Sequence, residues 1–302
     1  MRQEFYFPSN NGTEKIHAVK WEPEGRIRAV VQIVHGMAEH IERYDEFARY
    51  LAQRRILVVG HSHLGHGKSS ASEADLGFFD DTDGNKFVVA DIHTLRQMVQ
   101  SQHPDAAYFL LGHSMGSFLV RQYLGEKAEG LAGAVIMGTG DQPVLVLKAA
   151  KLICKFIASA KGWRHRSDFV NAFVCGGFEK KLGPGWLSKN EENVKRYAAD
   201  PLCGFVFTLN GFYHMFSGML EANIRERAGE IPKALPLLFT SGLEDPVGNN
   251  GHGVAAVWKR YRKFGAQKAK LKLYPGDRHE ILNELDRQQV YADLHDWIEK
   301  NL

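Results

Sequence analysis

The chain reads as an α/β protein with a mostly parallel central sheet, helices on both faces and one helical insertion. Three observations predict it. Apolar strand-like runs alternate with stretches of helical periodicity along most of the 302 residues, the pattern of successive βα units. One strand-to-helix junction carries Gly112-His113-Ser114-Met115-Gly116, a turn tight enough to need glycine two residues before and two after its centre. The alternation lapses between about Gly140 and Lys233, where amphipathic stretches occur without a convincing β run.

Taken in order, Glu4 to Phe7 and Lys15 to Trp21 form an expected hairpin joined through Asn10-Asn11-Gly12. Ala29 to Val34 is an apolar strand, followed by a helix through Tyr44 to Arg55 with Phe47, Tyr50 and Leu51 at helical spacing. Ile56 to Val59 is the next buried strand and Lys86 to Gln102 the next helix. Tyr108 to Leu111 leads into the glycine-flanked serine, with a helix from Ser117 and a strand at Ala132 to Met137. Leu235 to Thr240 resumes the sheet, and helices from about Val254 and Leu285 flank the strand Ala269 to Tyr274. The expected division is a sheet core of residues 1–139 and 234–302 with a helical cap, or lid, at 140–233. Ligands in such sheets bind at the carboxyl ends of the strands, so the cap would roof the site.

Composition narrows the function. Hydrophobic residues make up 44%, enough for a core that buries roughly three quarters of the unfolded surface. A net charge of +3 is too mild to argue for nucleic acid. The N-terminal segment lacks the apolar region of a signal peptide. Cys154, Cys175 and Cys203 are too scattered for a disulfide framework or a zinc site. They read as reduced thiols of a cytoplasmic protein.

A serine on such a turn has the N-terminus of a helix beneath it, which favours negative charge. It needs a base and an acid, following in the order Ser, acid, His, each in a loop after a strand. Asp245, after the strand ending at Thr240, is the expected acid, with Glu244 its competitor in the same loop. His279, after the last strand, is the expected base. The oxyanion hole requires two backbone N–H groups. Met115, next to the serine, supplies one, and Met37, in the loop His35-Gly36-Met37-Ala38-Glu39-His40, the other.

These residues together resemble the monoacylglycerol lipase and lysophospholipase branch of the α/β-hydrolases, grouped with the serine aminopeptidase-like hydrolases. The resemblance runs nearly end to end. It rests on His35 to His40 with Arg43-Tyr44, Gly65-His66-Gly67-Lys68-Ser69, Gly112 to Gly116 and the loops of Asp245 and His279. In the insertion, Gly185-Trp-Leu-Ser188 and Asp200-Pro-Leu-Cys-Gly-Phe205 carry it. It implies an α/β-hydrolase fold and hydrolysis of monoacyl lipids or similar small esters through an acyl-enzyme, with no cofactor and no metal. By position, Glu39 and Arg43 match residues on the alcohol side of the pocket. One departure is Ser62, where the family usually has an Asp that would brace the loop.

Two other classes compete. His61, His63 and His66 after a strand are close to a metallo-hydrolase motif, but Gly65 stands where that motif needs Asp. Some proteins of this fold are non-catalytic and lose a triad member; here all three are present. On the same triad, a peptidase, thioesterase or acyltransferase is the alternative.

The stretch Val144 to Ala158 has Lys148, Lys151 and Lys155 on one helical stripe and a broad apolar remainder. Such a helix either packs its apolar face on the protein with the lysines solvated, or lies at a bilayer surface and makes a peripheral membrane contact.

Overall fold

The computed structural model describes residues 1–302, the side chain of Glu179 aside. Its centre is β3 (Ala29–Val34), whose alternate side chains feed two separate cores. Val30 and Val34 face one, Ala29, Val31 and Ile33 the other, the two-residue period of a strand buried on both faces. Around it lie β1 (Arg2–Pro8), β2 (Lys15–Trp21), β4 (Ile56–His61), β5 (Ala107–His113), β6 (Gly133–Met137), β7 (Leu237–Gly242) and β8 (Ala269–Tyr274), in the order β1-β2-β4-β3-β5-β6-β7-β8. The β1–β2 and β2–β4 pairs are antiparallel and the rest parallel. This is the α/β-hydrolase fold, and every strand expected from the sequence is present.

Helices α1 (Asp45–Ala52), α2 (Gly84–Gln102) and α3 (Met115–Lys127) follow β3, β4 and β5. Between β6 and β7 come α4 (Val144–Lys161), α5 (Asp168–Asn171), a π-helical turn at Ala172–Gly176, α6 (Gly177–Leu182), α7 (Glu191–Ala199) and α8 (Leu209–Arg227). Then α9 (His252–Lys263) and α10 (Arg287–Glu299) alternate with β8. Phe47 and Leu51 of α1 share one core with Leu294 and Ile298 of α10. Residues of α2, α3 and α9 share the other with α4 and α8, so the insertion extends that core. Its C-terminal end is tied down by charge. Arg121 of α3 grips both oxygens of Glu226 at 2.7 and 2.8 Å, and Arg260 of α9 reaches the same carboxylate at 2.8 Å. All three side chains are buried or nearly so, where losing one partner of such a cluster is costly.

The lysine stripe of α4 is only partly covered: Lys148 and Lys155 are exposed and Lys151 is half-buried. Lys151 and Lys155 lie 4.6 and 5.4 Å from the centre of the Tyr213 ring on α8. Leu147, Ala150, Cys154 and Ala158 make the buried face. Leu145, Leu152 and Phe156 are left outward, 78%, 66% and 80% exposed. No helix among the described residues is long and apolar enough to cross a membrane.

Candidate active site

Ser114 stands between β5 and α3 with φ 53° and ψ −120°. A side chain avoids that region unless its surroundings impose it. Here they do: a Cβ on Gly112 would collide with the carbonyl of Gly116, and one on Gly116 with that of Val34. The two glycines therefore let strand, turn and helix approach closely enough to hold the serine outward. Beside it is a cavity of about 620 Å³, walled by Phe118, Phe178, Trp186, Phe205, Met215 and Met219 and polar at the end where Glu39 and Glu280 lie.

Asp245 and His279 meet there. Nδ1 of His279 donates to Oδ1 of Asp245 at 3.0 Å, and both side chains are buried. Asp245 also accepts from the Val247 N–H at 2.9 Å and the Ser241 hydroxyl at 2.5 Å. Burial opposes its charge, but the charge and N–H of His279 outweigh that and hold its carboxyl below the usual range. Glu244 points elsewhere: half exposed, it accepts from Lys189 Nζ at 2.8 Å.

The loop after β3 packs on the serine: a Cβ at Gly36 would lie 3.2 Å from that of Ser114. The Gly36 N–H is already given to Glu39 at 2.6 Å. The next peptide is oriented by His35. Nε2 of His35 accepts from the His63 N–H at 3.0 Å, which leaves the proton on Nδ1 to donate to the Gly36 carbonyl at 2.8 Å. In a trans peptide the Met37 N–H points opposite to that carbonyl. The Met115 N–H, first of α3, has no acceptor within its own helix.

The three histidines of the metal-like pattern are absorbed by this support. His63 Nε2 donates to the His35 carbonyl at 3.3 Å, and its Nδ1 accepts from His61 at 3.2 Å. His66 Nδ1 donates to the Leu64 carbonyl at 2.9 Å, while its Nε2 accepts from the Ala38 N–H at 3.3 Å. Burial keeps all of them neutral, pushing His61 down to about 3 and His66 to about 4. Their nitrogens do not converge. Among the described residues the one trio that does is His40, Asp200 and Cys203, where His40 Nε2 is already bonded to Asp200 at 2.8 Å. Ser62, where the resemblance implies an Asp, leaves its hydroxyl without a partner. The loop is held instead by Ser69, which donates to the Ser62 carbonyl at 2.6 Å and accepts from the His17 N–H at 2.9 Å.

Glu39 reaches the cavity and Arg43 stands behind it, beneath the Tyr197 ring at 4.8 Å. Arg43 is drawn back by Glu280, which takes both of its terminal nitrogens at 2.7 and 2.8 Å, while Glu39 takes one at 2.7 Å and Asn193 one at 3.3 Å. His113 completes the cluster. Its Nδ1 faces Glu39 at 3.3 Å and the Tyr44 oxygen at 3.2 Å, and its Nε2 faces the His279 carbonyl at 3.2 Å. Tyr44 spends its proton on Glu39 at 2.8 Å, so both His113 nitrogens are donors and the ring is an imidazolium. Burial works against that charge, but the Glu39 carboxylate raises the His113 pKa. Burial also works against the charges of Glu39 and Glu280; His113 and Arg43 keep the first ionised and Arg43 the second. Glu280 was not singled out from the sequence, although its place next to His279 was a signal.

Residues 25–286 match the protein family described as serine aminopeptidase, S33. The chain is 29% identical over 308 residues to a monoacylglycerol lipase of Mycolicibacterium smegmatis, covering 100% of this chain and 98% of that one. It is 26% identical to the monoglyceride lipase of Homo sapiens, over 92% of this chain and 84% of that one. A highly thermostable carboxyl esterase from Bacillus coagulans, solved in complex with glycerol, superposes with a TM-score of 0.89 at 30% identity, covering 99% and 98% of the two chains.

Proposed function

From the premise that the chain belongs to the serine aminopeptidase S33 family and is a serine hydrolase, we propose that it cleaves monoacylglycerols and similar small neutral acyl esters through an acyl-enzyme. Ser114 attacks the acyl carbonyl while His279 takes its proton, and Asp245 holds the tautomer and stabilises the imidazolium. The N–H groups of Met37 and Met115 receive the oxyanion. His279 returns the proton to the departing alcohol, then activates the water that releases the acid. The helical cap at 140–233 roofs the acyl chain.

The observation that carries the substrate class is the charge balance at the polar end of the cavity. Glu39 and Glu280 are matched there by Arg43 and His113. Arg43 has its terminal donors engaged and offers none to a phosphate. The carboxylates are already paired, which leaves little for the ammonium of a peptide. A neutral polyol suits such a site. Lysophospholipids, the other substrates the resemblance implied, suit it less. The test is a comparison of kcat/KM for 1-monoacylglycerol, lysophosphatidate of the same acyl chain and an aminoacyl anilide. The neutral ester should lead by at least about tenfold, a difference of about 1.4 kcal/mol in transition-state binding. Equal rates would remove the argument.

A cytoplasmic location with peripheral membrane contact through α4 completes the reading, supported by the outward Leu145, Leu152 and Phe156.

A further inference from the structure

Trp186 lies over His279, with ring centres 5.3 Å apart and planes inclined 37°. Its neighbours explain how it is held there. Arg278 Nη1 donates to the Gly185 carbonyl at 2.6 Å, and the Glu280 N–H donates to the Leu187 carbonyl at 2.8 Å. The residues on either side of the tryptophan are thus tied to those on either side of the histidine. The pairing continues outward. Ser188 donates to Glu284 at 2.8 Å, the Arg278 N–H donates to the same carboxylate at 2.9 Å, and Asn190 donates to the Asn283 carbonyl at 2.9 Å. Glu284 is buried, so this seam is part of the fold.

We propose that Trp186 is a positioning residue for the base: bracketed on both sides, its indole restricts the His279 imidazole to the rotamer that meets Asp245 and covers it as it becomes an imidazolium. The proposal rests on the assignment of His279 as base. An aromatic face against a cation is favourable, the more so where water is excluded, and a base held in place needs no reorganisation before proton transfer.

Trp186 also lines the cavity, so the test must separate holding the base from holding the acyl chain. p-Nitrophenyl acetate, with no chain to bind, does this. With Trp186→Ala, kcat on the acetate and the rate of labelling by a small fluorophosphonate should fall together by about 5- to 30-fold, with KM within twofold. Trp186→Phe should recover to within about threefold of wild type. Trp186→Leu, bulky but without an aromatic face, should not. Full activity of the Leu variant, or a loss confined to KM for long-chain monoacylglycerol, would overturn the proposal and leave Trp186 a wall of the cavity. Wild-type protein that neither takes the label nor cleaves the acetate would instead refute the assignment of the base.

Discussion

Glu280 holds Arg43 through both carboxylate oxygens, at 2.7 and 2.8 Å, one residue beyond His279. The pair withdraws the guanidinium from the cavity. Glu280→Gln should therefore return donors of Arg43 to the site and shift selectivity toward anionic headgroups. The ratio of kcat/KM for monoacylglycerol to that for lysophosphatidate should fall by about tenfold or more. Stability should drop by roughly 3 kcal/mol in urea titrations, since Arg43 keeps Glu39. An unaltered ratio would mean that the headgroup does not reach Arg43.

Ser114 should react once with a fluorophosphonate, read by intact-mass spectrometry and peptide mapping. Ser114→Ala should abolish labelling and lower turnover by on the order of a million-fold if the three residues act as a unit. Labelling that survives the substitution would place the nucleophile elsewhere.

Asp245→Asn should lower kcat by about ten-thousand-fold, the scale seen when a triad carboxylate can no longer hold the histidine tautomer. Glu244→Gln should stay within about threefold, because Glu244 is half exposed and engaged with Lys189. Reversed results would exchange the two roles.

His35→Ala should spare the triad yet loosen the Gly36–Met37 peptide that His35 orients. Turnover should fall by roughly 10- to 100-fold, less than the 10²–10³ lost with a whole oxyanion donor. A KM change with constant kcat would count against the Met37 N–H as a donor to the oxyanion.

Acid should unfold the protein early. His35, His61, His63 and His66 are buried and neutral, with pKa values held below the ordinary one, His61 at about 3 and His66 at about 4. Below pH ~6.5 the unfolded chain binds protons that the folded chain refuses. Stability present above that pH is therefore lost as pH falls toward 4, at about 1.4 kcal/mol per pH unit for each histidine. Four together approach about 5.5 kcal/mol per unit, against a total of roughly 5–15. Circular-dichroism melts should show Tm falling steeply below pH 6.5 and cooperative unfolding near pH 5. A flat Tm from pH 7 to 5 would contradict the neutral cluster.

The strands, the elbow and the loops that carry Asp245 and His279 were legible because each depends on local periodicity or on chain order after a strand. Lys15–Trp21, Ala29–Val34 and Ala269–Tyr274 coincide with their expected bounds. The contacts of Glu280, His113 and Trp186 were not legible, because their partners come from distant parts of the chain. Arg43 meets Glu280 across most of the sequence, and Gly185 meets Arg278 through a seam that no local pattern announces. The facing of α4 was half legible. Periodicity placed the lysines on one stripe, but only the position of Tyr213 could show that Lys151 and Lys155 reach toward α8.

The position of β7 and β8 has a consequence for the order in which the enzyme comes into being. During synthesis the amino-terminal part of a chain can fold first. Strands β1 to β6 and the strained turn at Ser114 precede residues 138–236, and β7 joins β6 only after that interval. The last strand, β8, has β7 as its single neighbour. Asp245 follows the first of these late strands and His279 the second. On the proposed mechanism, Ser114 is an ordinary hydroxyl until they dock. On that mechanism reactivity arrives with the final edge of the sheet, so a nascent or truncated chain that carries Ser114 without β7 and β8 should not react with a fluorophosphonate.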